Sequence, residues 1–163
     1  MGKIEKKGLD YDSEFMTKAA SGGMLEVEMG KQVAARAATP EAKQFAQKMI
    51  ADHTKANAEL MALTAKKSIT PPTTLGDEHA KVLKDVTEKK GVKMDREYMK
   101  EMIKGHQKDV KEFTDASIKA SDPDGHDRLL LDFLYSGTSL ETEALAAKNV
   151  PALQIHLDMA TKM

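Results

Sequence analysis

Three short interruptions divide this chain into long stretches whose apolar residues recur every three or four positions. Thr39-Pro40-Glu41 stops one stretch and starts the next. Thr39 is placed to cap the new helix, and Pro40 sits at its first position, where the missing N–H costs nothing. Ser68-Ile69-Thr70-Pro71-Pro72-Thr73-Thr74 is an extended polar break, and Ser121-Asp122-Pro123-Asp124-Gly125 is a turn. Between them lies a short amphipathic piece with His79, Val82, Leu83 and Val86 on one face, ended by Gly91. The spacing predicts a flexible segment over 1–12, then a single domain over 13–163 with long helices at about 13–38, 41–67, 93–120 and 126–163. Asp12 or Ser13 would cap the first, and the last would break near 136–138. The connection 68–92 is long enough to cross from one end of a bundle to the other. An all-α, ferritin-like four-helix bundle with a short extra helix in the crossover is the expected fold.

Composition agrees and excludes several functions. Aromatic residues make up only 4% of the 163 residues, which argues against a β-sandwich or barrel. Lys and Arg number 25 against 26 Asp and Glu, so the electrostatic footprint of a nucleic-acid binder is missing. Without cysteine there is no disulfide, thiolate zinc site, iron–sulfur cluster or thiol nucleophile. No apolar run is long enough to span a bilayer, and Met1–Gly8 has a basic start without the apolar stretch of a signal peptide. The expectation is a cytoplasmic protein or the mature form of an exported one. No phosphate-binding glycine loop or nucleophile elbow occurs, and Gly22-Gly23 reads as a place where helices approach closely.

The informative residues are polar ones inside the apolar stripes. The stripes run Phe15, Ala19, Gly22, Glu26, Met29 and Val33 in the first helix and Phe45, Met49, His53, Ala56 and Leu60 in the second. They continue as Met99, Met102, His106, Val110 and Phe113 in the third, and Leu145, Ala152, His156 and Met159 in the last. Glu26, His53 and His106 each fall near the middle of their helix, and midpoints lie at one level in an antiparallel bundle. Buried ionisable groups neutralise or find partners. Two outcomes stay open: a Glu–His hydrogen-bond network without metal, or a transition-metal site (copper, iron or zinc) formed by Glu26, His53, His106 and His156. Glu28 would replace Glu26 if the first helix were rotated. No Glu-x-x-His occurs, which disfavours di-iron oxidase chemistry. Met49, Met102, Met159 and Met29 lie one turn from His53, His106, His156 and Glu26. That set would suit Cu(I), although methionine also fills helical cores. His79 and His126 read as surface residues. A weak internal repeat aligns His53 with His106, Phe45 with Tyr98, Met49 with Met102 and Ile50 with Ile103.

The stretches Phe15–Gly30, Phe45–Asn57 and Leu153–Ala160 resemble the DUF4142 family, the Asp52-His53-Thr54-Lys55-Ala56-Asn57 segment being the most specific. The likeness runs over about 13–125 and 143–161. It implies an exported bacterial protein, periplasmic or associated with the outer membrane, with a ferritin-like bundle and no settled reaction. Residues 126–142 depart from the family pattern. There Leu129, Leu130, Leu131, Phe133, Leu134 and Tyr135 form an apolar face wider than one bundle contact needs. It would either pack under the crossover or serve as a protein-interaction or self-association surface, in which case the polar cluster is purely structural. The leading expectation is a non-catalytic or weakly active bundle with a metal-binding cluster.

Overall fold

The structure, a computed structural model, describes residues 2–118 and 140–163. Its helices are α1 (Gly2–Arg36), α2 (Pro40–Lys66), α3 (Asp77–Thr87), α4 (Val92–Ile118) and α5 (Leu140–Thr161). There is no strand among the described residues. The all-α bundle with a helix in its crossover stands as expected. α1 begins at Gly2 and so takes in the stretch 1–12 that the spacing set apart from the bundle. Lys3-Ile4-Glu5-Lys6-Lys7 contains no breaker and is rich in residues that favour helix. Asp12, expected as a cap, is instead buried at 2% exposure, with Lys67 Nζ 3.1 Å away at the end of α2. The apolar face at Leu129, Leu130, Leu131, Phe133, Leu134 and Tyr135, and the break near 136–138, lie outside the described residues.

Helix directions follow from the contacts. The turn after α1 is tight, so α2 returns antiparallel alongside it. Thr39 caps α2 through its side chain, as its position predicts. Asp95, in the first turn of α4, is buried at 4% exposure and accepts hydrogen bonds from Ala38 N, Thr39 N and Thr39 Oγ1 at 2.9–3.1 Å. The start of α4 is thereby fastened to the α1–α2 turn, and the crossover must climb the whole bundle to reach it. On the way α3 lies against α1, with Ser21 Oγ and His79 Nδ1 2.6 Å apart near one end and Arg36 donating to the Thr87 carbonyl near the other. His79, expected at the surface, is half-buried by that contact.

Two apolar clusters fill the interior. Met29, Val33, Phe45, Met49, Met94, Tyr98, Met102 and Ala160 pack toward the Asp95 end. Phe15, Met16, Ala20, Leu60, Ala116 and Ala146 pack toward the other. On every long helix, one ionisable residue named above falls between the two clusters. Gly23 and Gly30 let α1 lie close to α2: a Cβ on Gly23 would collide with the Asn57 side chain, and one on Gly30 would stand 3.3 Å from the Ala46 carbonyl. Gly22, in contrast, has open space where its Cβ would be.

Candidate metal centre

All four central residues are buried: Glu26 at 5%, His53 at 6%, His106 at 0% and His156 at 2% exposure. They come from α1, α2, α4 and α5 and meet at one level. His53 Nδ1 lies 2.8 Å from Glu26 Oε2, and His106 Nδ1 lies 3.6 Å from Glu26 Oε1. His106 Nδ1 is also 2.8 Å from the Met102 carbonyl, an acceptor, so Nδ1 carries the hydrogen. His156 Nε2 meets Asp52 Oδ2 at 2.7 Å. Each ring thus has one nitrogen directed to an oxygen acceptor.

The remaining nitrogens converge. His53 Nε2 and His106 Nε2 are 3.3 Å apart, as are His106 Nε2 and His156 Nδ1. The three rings stand 5.2–5.4 Å from one another, centroid to centroid. With the outer nitrogens protonated, neutral rings aim three lone pairs at one point. Such an arrangement calls for a cation at the centre, a proton or a metal ion.

Electrostatics show how the proton alternative works. Burial alone would raise the Glu26 carboxyl, but the charge and hydrogen bond of His53 outweigh it and hold Glu26 below its ordinary range. Burial likewise opposes the charged form of His53, yet Glu26 raises it above the usual imidazole value. His106 is lowered by burial, which the Glu26 charge only partly offsets. His156 is lowered to about 4, chiefly by burial, against the opposing hydrogen bond from Asp52. Each of Glu26 and His53 thus favours the charged form of the other, while His106 and His156 are pushed toward the neutral form. Once protonated, His53 would donate through Nε2 into the centre.

Glu26 does not stand among the converging atoms: it faces the opposite edges of His53 and His106. Glu28 is on the surface, where it pairs with Lys31. Asp52 and Asp109 are site residues that the pattern of apolar stripes does not reveal. Asp52 lies at the rim of α2 and reaches His156 only because α5 packs alongside, and Lys48 supports it at 2.8 Å. Asp109 sits one turn beyond His106, and burial together with the Glu26 charge raises its carboxyl well above the ordinary range.

Beside the centre lies a cavity of about 60 Å³. It reaches Glu26, His53, His156, Asp52 and Asp109, and the apolar side chains of Ala56, Leu60 and Phe113 are part of its wall. No helix among the described residues is long and apolar enough to cross a membrane.

Comparison with known proteins places this geometry in context. A crystal structure of a DUF305 fragment from Deinococcus radiodurans has a similar fold, with a TM-score of 0.69 over 93% of each chain at 13% sequence identity. No curated protein matches the chain. The profile of a domain of unknown function, DUF4142, matches residues 3–129. The chain belongs to the DUF4142 family.

Proposed function

We propose that this bundle binds one transition-metal ion through His53 Nε2, His106 Nε2 and His156 Nδ1. The observation that carries the reading is the pairing of three inward lone pairs with three outward acceptors. Metal-binding histidines characteristically donate their other N–H to a carboxylate or backbone carbonyl, which fixes the tautomer and raises ligand basicity. Here Glu26, the Met102 carbonyl and Asp52 fill those three positions. The spacing also fits. Imidazole nitrogens at about 2.0–2.1 Å from a tetrahedral ion lie about 3.4 Å apart, and two of the three edges measure 3.3 Å.

An all-imidazole set suits copper, zinc and iron. Glu26, expected as a ligand from its position in the stripe, takes the role of the carboxylate behind His53. Its charge, with that of Asp52, offsets a divalent ion in a buried layer. Binding would displace the His53 proton from the centre. The role that follows is a metal-binding module, in an exported bacterial protein if the resemblance to the family holds for location as well.

A second reading rests on the Glu26–His53 ion pair. That pair neutralises itself, and a protonated His53 could hold the centre together as a structural network without metal. X-ray absorption on protein loaded with Zn(II), Cu(I) or Fe(II) separates the two. The metal reading predicts about three imidazole scatterers around the retained ion. An ion surrounded only by water and carboxylate oxygens would leave the structural network.

A further inference from the structure

Three nitrogens occupy three corners of a tetrahedron, and the group of converging ligand atoms among the described residues contains no fourth. Closed four-ligand sites are structural, whereas three protein ligands leave a position for an outside molecule. The cavity borders the centre, with His53 and His156 among the residues that line it. Leu60 and Phe113 line it as well, whereas His106, fully buried, does not.

The walls select what can enter. A cavity of about 60 Å³ is far below the several hundred Å³ of an organic-substrate pocket. Ala56, Leu60 and Phe113 offer no replacement for a hydration shell, and the Glu26 and Asp52 carboxylates border the space, so an anion is doubly disfavoured. The Asp109 carboxyl makes no hydrogen bond among the described residues and borders the cavity, where a polar end of a ligand would meet it.

We propose that the cavity admits an uncharged ligand of two or three non-hydrogen atoms to the fourth coordination position of the three-histidine centre. This rests on the metal-centre reading above, and the test keeps the two apart. Full-length protein is loaded in parallel with Cu(I) and Co(II), the second taking nitrogen sites as zinc does. The Cu(I) form is exposed to carbon monoxide and read by its C–O infrared band; the Co(II) form is exposed to nitric oxide and read by its visible bands. A gas adduct on either retained ion is expected. Ala56→Leu should abolish it with metal content unchanged. Gly22→Leu, which also fills the cavity, serves if Ala56→Leu does not fold. Metal retained without any adduct overturns the ligand site and leaves the metal centre standing. An adduct that survives both cavity-filling variants overturns the route through the cavity. Retention of neither ion overturns the centre and the ligand site together.

Discussion

The Glu26 carboxylate meets His53 Nδ1 at 2.8 Å, and this contact turns His53 Nε2 toward His106. A single carboxylate on α1 thereby sets both the aim and the proton affinity of a ring on α2. Glu26→Gln keeps the size and removes the charge. We expect metal affinity to fall by about 10–100-fold, the usual effect of losing such a partner, with the helical content unchanged. A competition titration against a chromophoric chelator measures this, and equal affinity in the two proteins would exclude the outer-partner role.

The same chemistry forecasts a pH dependence with opposing contributions. His156 has its folded pKa lowered to about 4 from 6.5, and His106 is lowered too. Below about 6.5 the unfolded chain takes up protons that these buried rings refuse, so stability falls as pH drops through that range. His53 has its folded pKa raised, so its contribution is present at low pH and fades as pH rises through that value. Glu26 and Asp52, both lowered, lose theirs as pH falls into the carboxylate range. From pH 6.5 toward 4 the two lowered imidazoles dominate, with His156 alone accounting for on the order of 2–3 kcal/mol. Urea midpoints at pH 7, 6 and 5 should decline in metal-free protein, and His156→Gln should flatten the decline. A midpoint that rises toward pH 5 would contradict the assignment of neutral rings.

Metal and proton compete for the same point. Because Glu26 raises the proton affinity of His53, an ion must compete with a proton there, so binding should release protons and affinity should weaken as pH falls. Calorimetric titrations in buffers of different ionisation enthalpy count the protons. A count of zero would mean that His53 already presents its lone pair.

Far from the centre, Asp95 tests the architecture. It accepts from the backbone of Ala38 and Thr39 and from the Thr39 hydroxyl while almost wholly buried. Asp95→Ala leaves those donors without their partner and should cost about 2–4 kcal/mol in chemical denaturation. A loss below about 0.5 kcal/mol would show that the α1–α2 turn does not need this anchor.

The helices were legible because their punctuation is chemical: Thr39-Pro40, the diproline break and Gly91 each act locally. The central histidines were legible because a polar residue in a helical stripe violates the pattern that surrounds it. The repeat was informative as well. Phe45 and Tyr98, matched in sequence, meet edge to face at 6.0 Å, and His53 and His106 meet through their Nε2 atoms. What the stripes concealed was rotation and reach. In α5 the described buried residues are Thr142, Ala146, Leu153, His156 and Ala160, whereas the expected stripe held Leu145, Ala152 and Met159 with His156. Asp52 lies about 100° around the helix from His53, off the apolar stripe. That direction is the one in which α5 lies, and helix-to-helix neighbourhood is a tertiary property. Asp12 has the chemistry of a cap, but its partner, Lys67, is distant in sequence and so invisible to local spacing.

The most direct test of the account is the metal content of purified, tag-free protein after loading and dialysis, measured with thermal melts on the parent and on His53→Ala, His106→Ala and His156→Ala. The account predicts close to one ion per parent chain. It also predicts a melting temperature higher by roughly 5–10 °C when the free ion is at about 100 times its dissociation constant, with both effects lost in each variant. No retained ion in the parent, or retention that survives all three substitutions, would contradict it.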